Sequence, residues 1–90
     1  MKSFKEDLNT AVITTKFVLE KKSPILYVFH YEEDESWQFS GDETNLMDED
    51  FRVVSLEEII SLDSTVLEIA DLPLGGEAYR VNINASWEIQ

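Results

Sequence analysis

The sequence predicts an α+β domain, a mainly antiparallel sheet with two short central helices packed on one face. Three observations predict it. Residues 25–31 form an apolar run, and four acids separate it from a second short run, residues 36–40, the pattern of a β-hairpin. The strongest helix signals sit mid-chain, where Ser55 precedes Leu56 with Glu58 three residues on, and where Asp63 precedes a second apolar period. Apolar strand-like runs return after Gly75-Gly76, over residues 78–83 and 85–89. Strands, then two helices, then strands is not the βαβα alternation of a parallel fold.

Each element follows from its own residues. Phe4 and Leu8 stand at helical spacing, so residues 1–9 are expected to form a short helix or a frayed arm. The β-branched residues 11–15 read as a strand, and 16–20 fit either its continuation or a helical turn. Lys21-Lys22-Ser23-Pro24 is a turn, since Pro24 pushes Ser23 away from helix. Residues 25–31 are apolar on both faces, with Ile25, Tyr27, Phe29 and Tyr31 on one and Leu26 and Val28 on the other. That predicts a central strand covered on both sides. A symmetric loop at Glu32–Glu35 would pair Tyr31 with Ser36, His30 with Trp37 and Val28 with Phe39.

Gly41 ends the hairpin, and residues 42–50 are a polar loop anchored by Leu46 and Met47. Residues 51–54 form a strand. Ser55 is the N-cap of a helix with Glu58 at N3, a capping box, and Leu56, Ile59, Ile60 and Leu62 make its apolar stripe. Asp63 stops that helix and caps another over 64–70, whose apolar positions are Val66, Leu67 and Ile69. Pro73 and Gly75-Gly76 turn the chain into the last strands. With 90 residues, the chain 1–90 is one domain.

Composition excludes several functions. The 19 acids and 7 bases give a net charge of -12, which argues against nucleic acid and against anionic membrane surfaces as partners. Cys is absent, so no disulfide, thiolate metal site or cysteine nucleophile is available. No apolar run approaches a membrane span, and the first ten residues lack a signal-peptide core, so a cytoplasmic location is expected.

The charge is uneven. Residues 1–22 carry a net +2 and residues 23–90 a net -14. Nine acids and no base fall within residues 32–50. Such a block either solvates a loop pair or presents an acidic face to a basic protein partner. The candidate partner-binding residues are Trp37, Asp42, Glu43, Leu46, Met47, Asp48, Glu49 and Asp50. Trp37 and Phe39 share a strand face, either as core or as an exposed aromatic pair of the kind that anchors interfaces.

Catalytic signals are weak. His30, the only His, lies between apolar neighbours on a strand, which reads as a packed, hydrogen-bonded residue without a matched nucleophile. Ser40-Gly41-Asp42 lacks the glycine two positions before the serine that a nucleophile elbow needs. A calcium loop starting at Asp42 or Asp48 would put Met47 or Val53 where the sharp turn needs Gly. Gly75-Gly76 precedes Glu77 rather than a helix and is a turn, not a phosphate loop. Asn84-Ala85-Ser86 matches a glycosylation sequon by chance. No enzymatic activity, metal or cofactor is expected.

Several segments carry a resemblance. They are Trp37-Gln38-Phe39-Ser40-Gly41-Asp42-Glu43, Val54-Ser55-Leu56-Glu57-Glu58-Ile59-Ile60, and Leu72-Pro73-Leu74-Gly75-Gly76-Glu77-Ala78-Tyr79-Arg80. Val18-Leu19-Glu20, the Lys-rich turn and Pro24-Ile25-Leu26-Tyr27-Val28 precede them. Together they resemble a small bacterial domain-of-unknown-function family grouped with polymorphic-toxin immunity proteins, the immunity-protein-thirty-three-like domains. The resemblance runs from Ala11 to Arg80. Two positions depart from it: Gln38 stands where the family often has Arg, and Asp63-Ser64-Thr65 where it often has Asp-Pro-Ser. The resemblance implies bacterial origin and neutralisation of a toxin, and it implies no catalytic residue. Two function classes follow, a stoichiometric immunity-type inhibitor of a basic toxin domain and a small regulatory or ligand-binding domain unrelated to toxins.

Overall fold

The computed structural model describes residues 2–90. Among them, six strands build one open sheet: β1 (Ala11–Thr15), β2 (Tyr27–His30), β3 (Trp37–Ser40), β4 (Phe51–Ser55), β5 (Glu77–Tyr79) and β6 (Glu88–Ile89), in the order β4-β1-β3-β2-β5-β6. Two helices, α1 (Lys16–Leu19) and α2 (Leu56–Leu62), and two 3₁₀ segments, Asp48–Asp50 and Ser64–Ile69, complete it. The sheet is mostly antiparallel, as the sequence predicts, and β1 with β3 is the parallel exception among the described residues.

The hairpin has the predicted register. His30 faces Trp37 and Val28 faces Phe39, and the Tyr31 N–H donates to the Ser36 carbonyl. Because side chains alternate along a strand, this register puts Val28, His30, Trp37 and Phe39 on one face. That face carries the core, where they meet Val12 of β1, Leu56 and Ile59 of α2, and Val66 and Ile69 of the second 3₁₀ segment. Fully burying each aliphatic side chain there contributes about 1.5–3 kcal/mol.

Several expectations need correcting, while the open choice at residues 16–20 resolves. β2 is central, but it is covered on one side alone. Its other face carries Tyr27, Phe29 and Tyr31, which are half-buried and stack on one another rather than on a helix. Residues 2–9 are not helical and not frayed. Phe4 packs edge-on against Trp37 at 5.0 Å between centroids, while Leu8 is exposed, so the two do not share a helical face. The arm's backbone serves α2 instead: the Leu56 and Glu57 N–H groups donate to the Thr10 and Leu8 carbonyls. Residue 1 of the expected arm lies outside the described residues. The ambiguous 16–20 stretch is helical, with the Thr15 hydroxyl accepting from the Val18 N–H as N-cap.

The last two strands are far shorter than expected. β5 ends at Tyr79, with the Arg80 N–H still donating to the Leu26 carbonyl, and an Asx turn, Asn84 N–H to Asn82 Oδ1, breaks the rest. Val81 and Ile83 are left exposed. The mid-chain helices stand where the sequence puts them. Ser55 Oγ accepts from the Glu58 N–H at 3.2 Å, and Leu56 and Ile59 are fully buried. Asp63 accepts from the Thr65 N–H, but the segment it caps is 3₁₀ rather than α. The Gly75-Gly76 turn also forms as expected. Gly75 has φ +82, a conformation that favours glycine, and its N–H donates to the His30 carbonyl.

Candidate functional site

The sequence-predicted binding residues divide into those that hold the fold and those that face outward. Trp37 belongs to the first group at 1% exposure. Its ring stacks on His30 at 3.9 Å between centroids, and its Nε1–H donates to Glu6 Oε2 at 2.9 Å. A residue so placed cannot anchor a partner. His30 is packed and hydrogen-bonded as its neighbours suggest, with Nδ1 2.8 Å from the Leu72 carbonyl. Nδ1–H is the donor there, and Nε2 lies 3.9 Å from Glu6 Oε2 without a hydrogen bond.

Glu43 also holds structure. One carboxylate oxygen accepts from the Ser23 hydroxyl, tying the 42–47 loop to the turn before β2. The tie needs Gly41, where a Cβ would come within 2.8 Å of both Glu43 Oε1 and Ser23 Cβ. Asp50 accepts from the Met47 N–H at 2.9 Å and pairs with Lys16 at 3.2 Å. The backbone bond first and Lys16 second hold its carboxyl below the ordinary carboxylate range. Leu46 is half-buried. Asp42, Met47, Asp48 and Glu49 face solvent, Met47 at 62% exposure.

Asp48 connects this loop to a surface that the sequence reading missed. It lines a shallow depression of about 370 Å³ with Ile13, Gln38, Phe51, Arg52 and Val53. The cross-strand register extends that depression across the uncovered face: Val53 pairs with Ile13, Ile13 with Gln38, Gln38 with Phe29 and Phe29 with Glu77. Residues paired in this way point to the same face. Tyr27 and Phe29 stack at 6.4 Å, Phe29 and Tyr31 at 6.0 Å, and Tyr27 meets Tyr79 on β5 at 5.1 Å. Val53 is 71% exposed.

Acids rim this aromatic row. Burial first, then Glu33, Glu77 and Asp34, push the Tyr31 hydroxyl above its ordinary value, because a phenolate there would be desolvated and repelled. Tyr31 instead donates to Gln38 Oε1 at 3.0 Å. The signal was present in the sequence as Tyr at two of three i, i+2 positions. Tyr carries a hydroxyl that tolerates water, so two Tyr beside an all-acid loop fit a half-wet face better than a second core.

A second concavity of about 770 Å³ lies beside the entrance to β2 and beyond the end of β5, lined by Ser23, Ile25, Asp63, Thr65, Asn82 and Asn84 among others. Behind it sits Arg80 at 1% exposure. Its guanidinium donates to the Ile25 carbonyl, to Thr65 Oγ1 and to Asp63 Oδ2, the last at 2.6 Å, and it stacks on Trp87 at 4.1 Å. Burial alone would push the Asp63 carboxyl up, but the Thr65 hydrogen bonds and the Arg80 guanidinium outweigh it and hold the carboxyl down. This group is a fastener between the β2 entrance, the second 3₁₀ segment and the end of β5.

Among the described residues, no group of three or more His, Cys, Asp or Glu is placed to hold a metal ion. No helix of the described residues is long and apolar enough to cross a membrane. In comparisons with known proteins, no family model, curated protein or solved structure matches this chain.

Proposed function

We propose that this chain is a non-catalytic binding protein that captures a basic protein partner stoichiometrically, in the manner of an immunity protein holding a toxin domain. One observation carries the reading. Of the nine acids within residues 32–50, Asp50 is the one with a basic partner within ion-pair distance among the described residues. The other charges of that block have no internal base to answer them, so the field they make extends into solvent. Such a field draws in a positively charged partner and speeds its capture. The resemblance to immunity-protein-thirty-three-like domains gives the partner its class, and a toxin acting on nucleic acid would have the basic surface required.

The test is capture on the immobilised chain from a bacterial lysate at low and high salt, followed by titration of the purified partner. The reading expects a basic protein, 1:1 stoichiometry, and growth rescue when the two are co-expressed. Retention of acidic proteins alone, or a partner whose binding is indifferent to salt, would contradict it.

A second reading, a small ligand-binding domain, is favoured by the 770 Å³ concavity, where Ser23, Asp63, Thr65, Asn82 and Asn84 bring polar groups to a partly apolar wall. Ligand-observed NMR with a metabolite mixture tests it. Saturable line-broadening that Asn82→Ala removes would support it, and no broadening would dismiss it.

A further inference from the structure

We propose that the uncovered face of the sheet is the surface that meets the partner, and that the occupant is a basic protein surface presenting arginine guanidinium groups to the Tyr27–Phe29–Tyr31 row. The inference rests on the reading of this chain as a binder of basic proteins, and it assigns that binding to residues outside the 42–50 loop.

The geometry supports a docking face rather than an ordinary solvated one. A sheet with one face in the core ordinarily alternates apolar and polar along each strand. Residues 27–31 break that rule with aromatic rings at three successive outward positions, and beyond Gln38 the row continues through Ile13 to Val53 on the edge strand β4. α1, α2 and the 3₁₀ segment Ser64–Ile69 pack their apolar residues into the core on the opposite face.

Charge decides the occupant. Glu77 stands beside Phe29 in the same cross-strand row, and Glu88 stands opposite Tyr79. Glu33, Asp34 and Glu77 lie close enough to Tyr31 to disfavour a phenolate. Rings flanked by carboxylates suit a guanidinium, which stacks on the ring face while its N–H groups reach the acids. A second copy of this chain is the wrong occupant, because two such faces brought together would bury acids of like charge in one interface. Each chain also carries -12.

The test is a titration of the isotope-labelled chain with hexa-arginine and with hexalysine, followed by amide and aromatic NMR shifts. The proposal expects shifts centred on Tyr27, Phe29, Tyr31 and Tyr79, with hexa-arginine binding more tightly than hexalysine. Phe29→Leu keeps an apolar side chain but removes the ring, and it should weaken hexa-arginine about two- to fivefold, the worth of one exposed cation–π contact. Glu77→Lys, at an exposed position, should weaken both peptides without disturbing the fold.

Shifts confined to residues 42–50 would overturn the face assignment while leaving the acidic-binding reading in place. Equal binding of the two peptides, unaffected by Phe29→Leu in a folded variant, would overturn the guanidinium assignment. Failure of both peptides to bind at low salt would overturn the parent reading as well. Concentration-dependent self-association through Phe29 would identify a second copy as the occupant and overturn the proposal.

Discussion

Arg80 is the residue whose role is hardest to see from the sequence. It falls within the strand-like run 78–83, yet it is nearly inaccessible and donates to acceptors on two separated segments, Ile25 and Asp63–Thr65. Asp63 was legible as a helix cap from its own neighbours. Its partner stands 17 residues away and only the folded chain brings them together. Asp63→Ala leaves a buried guanidinium without its counter-ion. It should lower stability towards the lower end of about 3–5 kcal/mol, since Asp63 itself reaches water. Chemical denaturation at neutral pH measures this.

The same pair has a pH signature. The folded-state carboxyl of Asp63 titrates below its unfolded value, so its contribution is fully present above about pH 4 and is lost as pH falls through the folded value. Denaturation midpoints followed downward from pH 5 should therefore fall less steeply for Asp63→Asn than for the parent chain. Equal slopes would show that the Thr65 hydrogen bonds and Arg80 together do not hold the charged form.

At the scale of elements, the start and extent of α2 were legible because its signals are local: the Ser55 cap, a first turn of acids and an apolar stripe. Ser55→Ala should cost about 0.5–2 kcal/mol in a denaturant melt. The N-terminal arm was not legible, because its spacing fits a helix and its actual use is tertiary. Phe4 shields Trp37, and the Thr10 and Leu8 carbonyls take N–H groups of α2 that Ser55 does not reach. Phe4→Ala should cost less than the about 3–5 kcal/mol of a fully buried ring. It should also shift Trp fluorescence to the red as water reaches Trp37. An unshifted spectrum would mean the arm does not cover that ring.

The hairpin shows both what a pattern fixes and what it leaves open. Loop length and period set the register of β2 on β3. They did not say whether the second apolar face would find a cover. That depends on how much helix the chain can supply. Among the described residues its longest helix, α2, has seven residues, and the 3₁₀ segment joins it on the same side. With the helical material spent on one face, the Tyr27–Phe29–Tyr31 row remains outside.

At the scale of the molecule, the sequence made the charge legible but not its layout. The hairpin puts the acids of residues 32–35 at its tip and those of 42–50 at its far end, and the candidate partner-binding acids are those of the second segment. In the fold, Trp37, Glu43 and Asp50 hold structure, while Asp42, Asp48 and Glu49 make no ion pair among the described residues. Reversing Asp48 and Glu49 to Lys should slow partner association by weakening long-range attraction, with an unchanged melt, because both side chains are exposed.

The association rate of the purified 1:1 complex, followed by stopped-flow fluorescence across a range of ionic strength, tests the central claim most directly. Screening shortens the reach of exposed charges from roughly 30 Å at 0.01 M salt to roughly 8 Å at 0.15 M. A chain of net charge -12 that captures a basic protein should lose association rate steeply over that range, while dissociation changes far less. An association rate that stays level across the same range would contradict capture by charge and return these acids to the role of solvation.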